Sequence, residues 1–405
     1  MMDRQLYIDL WQELASHKTM VFLVGPRQAG KTTLARMIAQ GFSNQVYFNW
    51  DLVTNKRLLV EKPTFFEQLD RKDETAPLVI FDEIHKYRKW KNYLKGIYDQ
   101  FSDDYKFLVL GSGRLDMFQK GGDSLAGRYF QFNLWPFTVA ELAGARRPFA
   151  EFIKDPQHVP EEKKETQTLW SRLANLSGFP EPYLSGEASV YRRWSRNYHR
   201  QLIRQDIRNM TDVKNIDETE ILFSLLPSKV GSPLSMESLA RDLQVSHKAV
   251  RSWLMIFESF FLTFRIVPWT RKISRAITKE RKLYLYDYAA ITDPAARFEN
   301  MVALELLRAL SNWNDLGLGD FSLHYVRNKD KEEVDFLVAQ EAKPLLLVEC
   351  KFSDEAISKG LLKFQAVLGI PAVQLVNKPG IYKSISAGKQ KTIVVTASRW
   401  LAGLP

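Results

Sequence analysis

Cysteine is almost absent from the chain, which has one, Cys350, among 405 residues. A single thiol excludes an internal disulfide and any zinc site built from several cysteines, and it favours a cytoplasmic location. No run approaches ~18 uninterrupted apolar residues, so the sequence predicts neither a membrane-spanning helix nor a membrane partner. The first residues, MMDRQLYIDLWQEL, place acids among the apolar residues, which is not typical of a secretory signal.

The balance of residue types predicts a folded and mildly basic protein. Hydrophobic residues make up 45% of the chain and charged residues 26%, values typical of globular domains. A length of 405 residues favours several domains rather than one. Lys and Arg number 57 against 47 Asp and Glu, a net charge of +10. This excess is expected of a protein that binds a polyanion, although many basic proteins have no nucleic-acid partner.

A glycine-rich loop lies between a predicted strand, Val21–Val24, and a segment whose apolar residues recur at helical spacing. The loop matches the GxxxxGK[ST] pattern in the strand–loop–helix context that the pattern requires. In such a loop the backbone N–H groups converge on phosphate oxygens, the lysine reaches the β- and γ-phosphates, and the threonine hydroxyl ligates Mg²⁺. The predicted ATP-binding residues are Gly25, Pro26, Arg27, Gln28, Ala29, Gly30, Lys31, Thr32 and Thr33.

Two further predicted strands end in polar residues. Pro77–Phe81 is an apolar run followed by Asp82 and Glu83. A carboxylate at a strand end can hold the water shell of Mg²⁺, which we assign to Asp82, while Glu83 can polarise the attacking water. Ser112, after the third strand, can sense the γ-phosphate or orient that water. The alternatives are a helix N-cap for the acid pair and an ordinary loop serine.

Arg128 precedes another apolar stretch, Phe130–Leu134. An arginine at this position can stabilise the charge of the transition state, either in cis or across the interface of a homo-oligomer. A surface arginine in a salt bridge explains the sequence equally well. The predicted catalytic residues are therefore Lys31, Asp82, Glu83, Ser112 and Arg128.

The middle of the chain predicts a helical segment followed by a helix-turn-helix. Ser235–Leu243 and His247–Phe261 have amphipathic spacing and are separated by a tight turn, and Ile266–Tyr288 can form a wing. The alternative is a winged helix that contacts a protein. If the module contacts DNA, the residues that approach the groove are His247, Lys248 and Arg251, and those that contact phosphates are Lys272, Arg275, Lys279, Arg281 and Lys282.

The C-terminal part contains Asp335, thirteen intervening residues and then Glu349-x-Lys351, a fit to the PD-(D/E)xK pattern in which Val334 replaces the proline. Strand residues two apart share a face, so Glu349 and Lys351 point the same way. Carboxylates in this arrangement hold Mg²⁺ or Mn²⁺, which generates hydroxide. The alternative is a structural ion pair in a scaffold that binds without cutting. The predicted nuclease residues are Glu299, Asp335, Glu349 and Lys351, with Gln365 as a weaker candidate.

Several motifs together resemble a large prokaryotic family of AAA+-type ATPases that carry a C-terminal restriction-endonuclease-like domain of uncharacterised function. The resemblance rests on GPRQAGKTTLA, VIFDEI, GSGRLDM and SLAGRYFQFNLWPFTVAEL, and it continues through SGFPEPYL, RQDIRNM, FENMVALELL, EVDFLV and LLLVECKFS. It covers nearly the whole chain. It implies an ATPase core, a helical lid, a winged helix and a nuclease-like fold, and it implies no established substrate.

We therefore expect an α/β fold with four parts: a P-loop AAA+-type parallel-sheet core at 1–144, a linker and helical lid at 145–215, a winged helix at 216–288 and a nuclease-like α/β domain at 289–405. The expected function is an ATPase that binds and hydrolyses Mg-ATP and acts on, or is regulated by, nucleic acid, with DNA favoured over RNA. The alternative is a nucleotide-dependent switch that gates a protein partner in defence or toxin-type signalling, with a catalytically silent nuclease-like scaffold. A second Mg²⁺ or Mn²⁺ is expected only if the C-terminal domain is active.

Overall fold

The computed structural model describes residues 4–112, 125–208, 213, 215–270, 280–387 and 390–405. The chain forms two compact units, Met1–Trp135 and Pro136–Pro405, and both mix helices with strands. Within the described ranges, no helix combines the length and the apolar character needed to cross a membrane.

The first unit is built on a five-stranded sheet in the order β2-β3-β4-β1-β5, in which every neighbouring pair is parallel. The strands are β1 Met20–Val24, β2 Gln45–Asn49, β3 Leu78–Asp82, β4 Lys106–Gly111 and β5 Phe130–Asn133. The helices are α1 Gln5–His17, α2 Lys31–Ala39, α3 Val53–Glu61 and α4 Trp90–Phe101. The predicted parallel sheet of a P-loop core is confirmed. Strands β1, β3 and β4 are apolar and almost entirely buried, as expected of a parallel sheet that is covered on both faces.

Because these strands run in the same direction, their carboxyl ends lie at one edge of the sheet. The register pairs Val24 of β1 with Gly111 of β4, and Asp82 of β3 with Leu110 of β4. The glycine loop follows β1, Glu83 follows β3 and Ser112 follows β4. The sheet therefore brings three separate sequence segments to one edge, where ligands of open α/β sheets bind.

The second unit begins with helices. They are α5 Val139–Ala143, α6 Phe149–Lys154, α7 Lys164–Leu176, α8 Pro180–Ser185, α9 Ala188–Gln201, α10 Ile216–Leu225, α11 Met236–Asp242 and α12 His247–Ser259, and a π-helical segment, Leu202–Ile207, extends α9. Ser235 and Ser246 cap α11 and α12 by accepting hydrogen bonds from the backbone N–H groups three residues later. Gln244 lies in the turn between these helices with a φ of 54°. The two helices of the predicted helix-turn-helix are present, and their DNA-binding role stays a prediction.

An eight-stranded sheet in the order β12-β13-β11-β10-β9-β8-β6-β7 forms the rest of the second unit. The strands are β6 Thr263–Pro268, β7 Lys282–Leu285, β8 Phe321–Arg327, β9 Glu333–Gln340, β10 Lys343–Lys351, β11 Ala372–Val376, β12 Tyr382–Ala387 and β13 Gln390–Thr396, and the helices are α13 Pro294–Asp315, α14 Lys359–Leu368 and α15 Ala397–Leu401. The antiparallel pair β6–β7, predicted as a wing, continues this sheet because Val267 of β6 pairs with His324 of β8. The predicted wing residues Lys272, Arg275 and Lys279 lie outside the described residues.

Candidate functional site

The glycine loop turns directly from β1 into α2. Gly25 has a φ of +151° and Gly30 a φ of +95°, conformations that L side chains rarely adopt. A Cβ atom added at Gly25 would lie 2.3 Å from the carbonyl oxygen of Leu134, which follows β5, so the close approach of these backbones requires glycine. The first N–H groups of α2 have no partner within the helix and can therefore bind an anion such as phosphate.

Lys31, the first residue of α2, is held inside this loop. Its Nζ donates hydrogen bonds to the carbonyl oxygens of Gly25, at 3.0 Å, and Pro26, at 2.7 Å. Burial lowers the pKa of Lys31 to about 8, although the carboxylates of Glu83 and Asp82 act in the opposite direction. A bound phosphate would add negative charge beside the ammonium group and stabilise its protonated form.

Asp82, at the end of β3, faces the start of α2. Its Oδ2 accepts a hydrogen bond of 2.9 Å from Thr32 Oγ1 and another of 2.6 Å from the Tyr47 hydroxyl. Burial raises the pKa of Asp82, while these two hydrogen bonds lower it. The Thr32 hydroxyl and the Asp82 carboxylate are oxygen ligands of the kind that Mg²⁺ binds, and they lie close together. These two predicted metal ligands therefore fit the ion. The sequence analysis did not identify Tyr47, since its proximity to Asp82 follows from the pairing of β2 with β3.

Glu83 has a left-handed backbone with a φ of 56°, which is uncommon for a residue with a side chain and is found at functional sites. Its Oε2 lies 3.0 Å from Lys86 Nζ and 3.7 Å from His85 Nε2. Burial raises the pKa of Glu83, but the charges of His85, Lys86 and Lys31 outweigh this and lower it below its usual value. Glu83 is therefore held as a carboxylate at the edge that carries Lys31.

Ser112 follows β4 and lies beside Glu83, with 3.5 Å between its Oγ and Glu83 Oε2. The side chains predicted from three strand ends are therefore neighbours in the structure. Gly113 and Arg114, which come next in the chain, lie outside the described residues.

Arg128 lies at the opposite edge of the sheet. It precedes β5, whose first residue, Phe130, pairs with Val21 near the amino end of β1. A strand of four residues separates the two edges by roughly 13 Å. Arg128 forms a bidentate ion pair with Asp99 near the end of α4, with distances of 2.6 Å (Nε–Oδ1) and 3.0 Å (Nη2–Oδ2). This geometry matches the salt-bridge interpretation and places Arg128 at the edge of the sheet opposite the glycine loop, while its role in turnover stays a prediction.

In the second unit, two of the predicted nuclease residues, Glu299 and Asp335, lie close to a lysine that the sequence analysis had assigned to the wing surface. Lys282 Nζ lies 2.6 Å from Glu333 Oε1, 3.1 Å from Glu299 Oε1 and 3.4 Å from Asp335 Oδ1. Its side chain is 1% exposed, so the expectation that Lys282 contacts phosphates is wrong. The cause is the position of β7 at the start of the C-terminal sheet rather than on a free wing. We call Glu299, Glu333 and Asp335 the carboxylate cluster.

Glu349 and Lys351 share a face of β10, as predicted, and form an ion pair of 2.8 Å. Burial and the charge of Asp335 raise the pKa of Glu349 to about 7. The weaker candidate Gln365 is buried against β13 instead, where its Nε2 donates a 2.9 Å hydrogen bond to the Lys391 carbonyl oxygen. Among the described residues, no group of three or more His, Cys, Asp or Glu side chains is arranged to hold a metal ion. The predicted second metal stays a prediction.

The predicted DNA contacts His247, Lys248 and Arg251 are exposed in the first turns of α12. Lys248 lines an open groove of about 450 Å³ together with Ser252 and Trp253. These residues are accessible, and what they contact stays a prediction.

Comparison with known proteins agrees with the geometry of the first unit. Residues 17–143 match the family model described as an AAA domain, so this part of the chain is similar to the AAA-type domains of ATPases. Residues 167–292 and 295–396 match two domains of unknown function, DUF8612 and DUF4143. The winged helix and the nuclease-like domain therefore stay predictions.

Relatives extend over most of the chain at low identity. An uncharacterised protein of Methanocaldococcus jannaschii is 23% identical over 80% of this chain and 73% of its own length. One of Mycobacterium tuberculosis is 22% identical over 84% of this chain and 72% of its own length. Among solved structures, a Walker-type ATPase of Pyrococcus abyssi has a TM-score of 0.45 and 14% identity, covering 72% of this chain and 95% of that one. Drosophila ORC bound to DNA has a TM-score of 0.31 and 11% identity, covering 69% and 91%. These identities and TM-scores are too low to assign the function of any of these proteins to this chain.

Proposed function

We propose that this chain binds Mg-ATP at the carboxyl edge of the first sheet and hydrolyses it. The observation that carries the proposal is the 2.9 Å hydrogen bond between Thr32 Oγ1 and Asp82 Oδ2. It joins the end of the glycine loop to the end of β3, so two oxygen ligands for Mg²⁺ lie beside the loop that would hold the phosphates.

The contacts of the neighbouring side chains support a role for each of them in ATP binding or hydrolysis. Mg²⁺, when bound, supplies positive charge to the phosphate oxygens. Lys31 places an ammonium group at the mouth of the loop, where it can bind the β- and γ-phosphates. Glu83 is held as a carboxylate because nearby cations lower its pKa, and in this form it can orient the attacking water and accept its proton as the bond to phosphorus forms. Ser112 is close enough to orient either Glu83 or that water.

The experiment that tests this proposal measures ATP binding by calorimetry and phosphate release at steady state. Lys31→Ala removes the ammonium group that faces the phosphates, so we expect ATP affinity to fall at least about tenfold and turnover to be lost. Lys89→Ala, at an exposed lysine of the same unit, serves as the matched control and should behave as the wild type. Unchanged ATP affinity in Lys31→Ala would refute the assignment of the loop.

We further propose that nucleic acid engages the second unit and regulates ATP turnover, with DNA favoured over RNA. The exposed basic start of α12 supports this role, since His247, Lys248 and Arg251 lie where a recognition helix contacts a groove. Duplex DNA should stimulate turnover, and the stimulation should fall as salt rises. Lys248→Ala with Arg251→Ala should weaken it without changing basal turnover. If DNA does not change ATP turnover at any salt concentration, the result would favour the alternative, a switch that gates a protein partner.

A further inference from the structure

The carboxylate cluster draws on separate elements of the second unit and surrounds a single ammonium group. Glu299 comes from α13, Glu333 and Asp335 come from β9, and Lys282 comes from β7. Residues two apart on a strand share a face, so Glu333 and Asp335 both face Lys282. The lysine side chain is 1% exposed and cannot extend into water, as a lysine at a surface would.

The oxygens that a metal would need already have partners. Asp335 Oδ1 faces Lys282 Nζ, and Asp335 Oδ2 accepts a 2.9 Å hydrogen bond from the backbone N–H of Cys350. Glu299 Oε1 accepts hydrogen bonds from Lys282 Nζ, at 3.1 Å, and from the Tyr284 hydroxyl, at 2.8 Å. Mg²⁺ requires oxygen ligands at about 2.0–2.1 Å in octahedral geometry, so it would have to displace these partners, and one of them is a buried cation.

We propose that Lys282 is a built-in cation that takes the place of a divalent metal in the carboxylate cluster. Three partly buried carboxylates this close together repel one another unless a cation lies between them, and the buried Lys282 supplies that cation permanently. The C-terminal domain then keeps the residues of a nuclease-like pattern while it neither binds Mg²⁺ or Mn²⁺ there nor cuts nucleic acid. This property is independent of ATP hydrolysis, so the failure of one proposal leaves the other measurable.

The test compares Mn²⁺ binding by calorimetry in full-length variants without nucleotide. All variants carry Asp82→Asn, which removes the Mg²⁺ ligand of the ATP site and its contribution to the heat. Lys282→Met removes the ammonium group and keeps a side chain of similar length. We expect it to gain at least about tenfold in Mn²⁺ affinity, because the competing buried cation is gone. The gain should disappear when Asp335→Asn is added.

Lys351→Met is the matched control, because Lys351 also pairs with a carboxylate of this region but its side chain is 35% exposed. It should not create a Mn²⁺ site. If Lys282→Met is destabilised because the carboxylate cluster has lost its ammonium partner, Mn²⁺ should raise the melting temperature of this variant. Mn²⁺ should not change the melting temperature of the parent, which carries Asp82→Asn alone. A destabilised variant that Mn²⁺ does not stabilise would overturn the proposal.

The parent of these variants, which carries Asp82→Asn and retains Lys282, provides a second and independent test. We expect its Mn²⁺ titration to be the same with and without Asp335→Asn, and neither protein to cleave plasmid or single-stranded DNA or RNA in Mg²⁺ or Mn²⁺. Binding or cleavage that depends on Asp335 in the presence of Lys282 would show that the cluster already accepts a metal, and it would reject the role of Lys282.

Discussion

The hydroxyl of Tyr47 offers the smallest change that tests the geometry of the ATP site. It donates a 2.6 Å hydrogen bond to the oxygen of Asp82 that also accepts from Thr32. Tyr47→Phe removes one oxygen atom and leaves the ring, the β2 strand and the glycine loop in place. Because the hydrogen bond stabilises the ionised carboxylate, its loss should raise the pKa of Asp82, so that protons compete with Mg²⁺ for this carboxylate at a higher pH.

The size of the effect follows from the burial of the two partners. Hydrogen bonds to charged groups contribute about 1.5–3 kcal/mol. Asp82 is buried, but Tyr47 is 36% exposed, so water can partly replace the lost hydroxyl and the lower end of the range applies. About 1.5 kcal/mol corresponds to roughly a tenfold change in an equilibrium constant and to about one pKa unit. We therefore expect half-maximal hydrolysis to require up to roughly ten times more Mg²⁺ on the acidic side of the profile, where protons compete for Asp82, and the same Mg²⁺ concentration at higher pH.

The assay is phosphate release against Mg²⁺ concentration at several pH values. A carboxylate with a raised pKa becomes protonated at a higher pH, so the acidic limb of the Tyr47→Phe profile should move upward by up to about one unit. Tyr93→Phe is the control, because its hydroxyl donates a 2.7 Å hydrogen bond to the Pro63 carbonyl oxygen instead. Equal Mg²⁺ requirements in Tyr47→Phe and the wild type on the acidic side of the profile, or an equal shift in Tyr93→Phe, would refute the reasoning.

The other predictions concern Glu83 and Arg128. Glu83→Gln should retain ATP binding, but its rate of hydrolysis should fall by about 10²–10⁴-fold, the contribution of a general base. The control is Glu61→Gln on the exposed face of α3, which should not change hydrolysis. Full phosphate release in Glu83→Gln would show that another residue has the catalytic role. Arg128→Ala and Asp99→Ala should lower the free energy of unfolding equally, by no more than about 1 kcal/mol, and leave turnover within about twofold of the wild type, since they form a partly exposed pair. A loss of turnover in Arg128→Ala that mixing with Glu83→Gln restores would show instead that Arg128 acts in a neighbouring copy.

The ATP edge is predictable because short sequence patterns determine it locally. An apolar run before the glycine loop predicts β1, and an apolar run before Asp82 predicts β3. Once both strands are assigned to one parallel sheet, their carboxyl ends must lie together. Lys31, Thr32 and Asp82 can therefore be grouped without knowledge of the strand order.

The contacts of Tyr47 and Lys282 depend on which strands are neighbours, and no local pattern records that. Tyr47 reaches Asp82 because β2 lies next to β3 at the edge of the sheet. Lys282 reaches Asp335 across 53 residues because β7 joins the C-terminal sheet through β6 and β8. A basic segment after a helix-turn-helix is typical of a wing, so the sequence favoured an exposed Lys282, and the pairing of β6 with β8 determines the outcome instead.

Asp82 and Asp335 illustrate how the nature of the neighbouring donors decides whether a carboxylate can receive a metal. The donors to Asp82 are neutral hydroxyls from Thr32 and Tyr47, so its negative charge is solvated but not neutralised. The nearest lysine of the glycine loop, Lys31, directs its ammonium group to backbone carbonyl oxygens. Asp335 differs, since the ammonium group of Lys282 lies 3.4 Å from its carboxylate. The same ammonium group also pairs with two glutamates. A divalent cation gains the full attraction of Asp82, whereas at Asp335 it would first have to displace a buried lysine. On these two proposals, the same residue type therefore supports a metal site in the first unit and opposes one in the second.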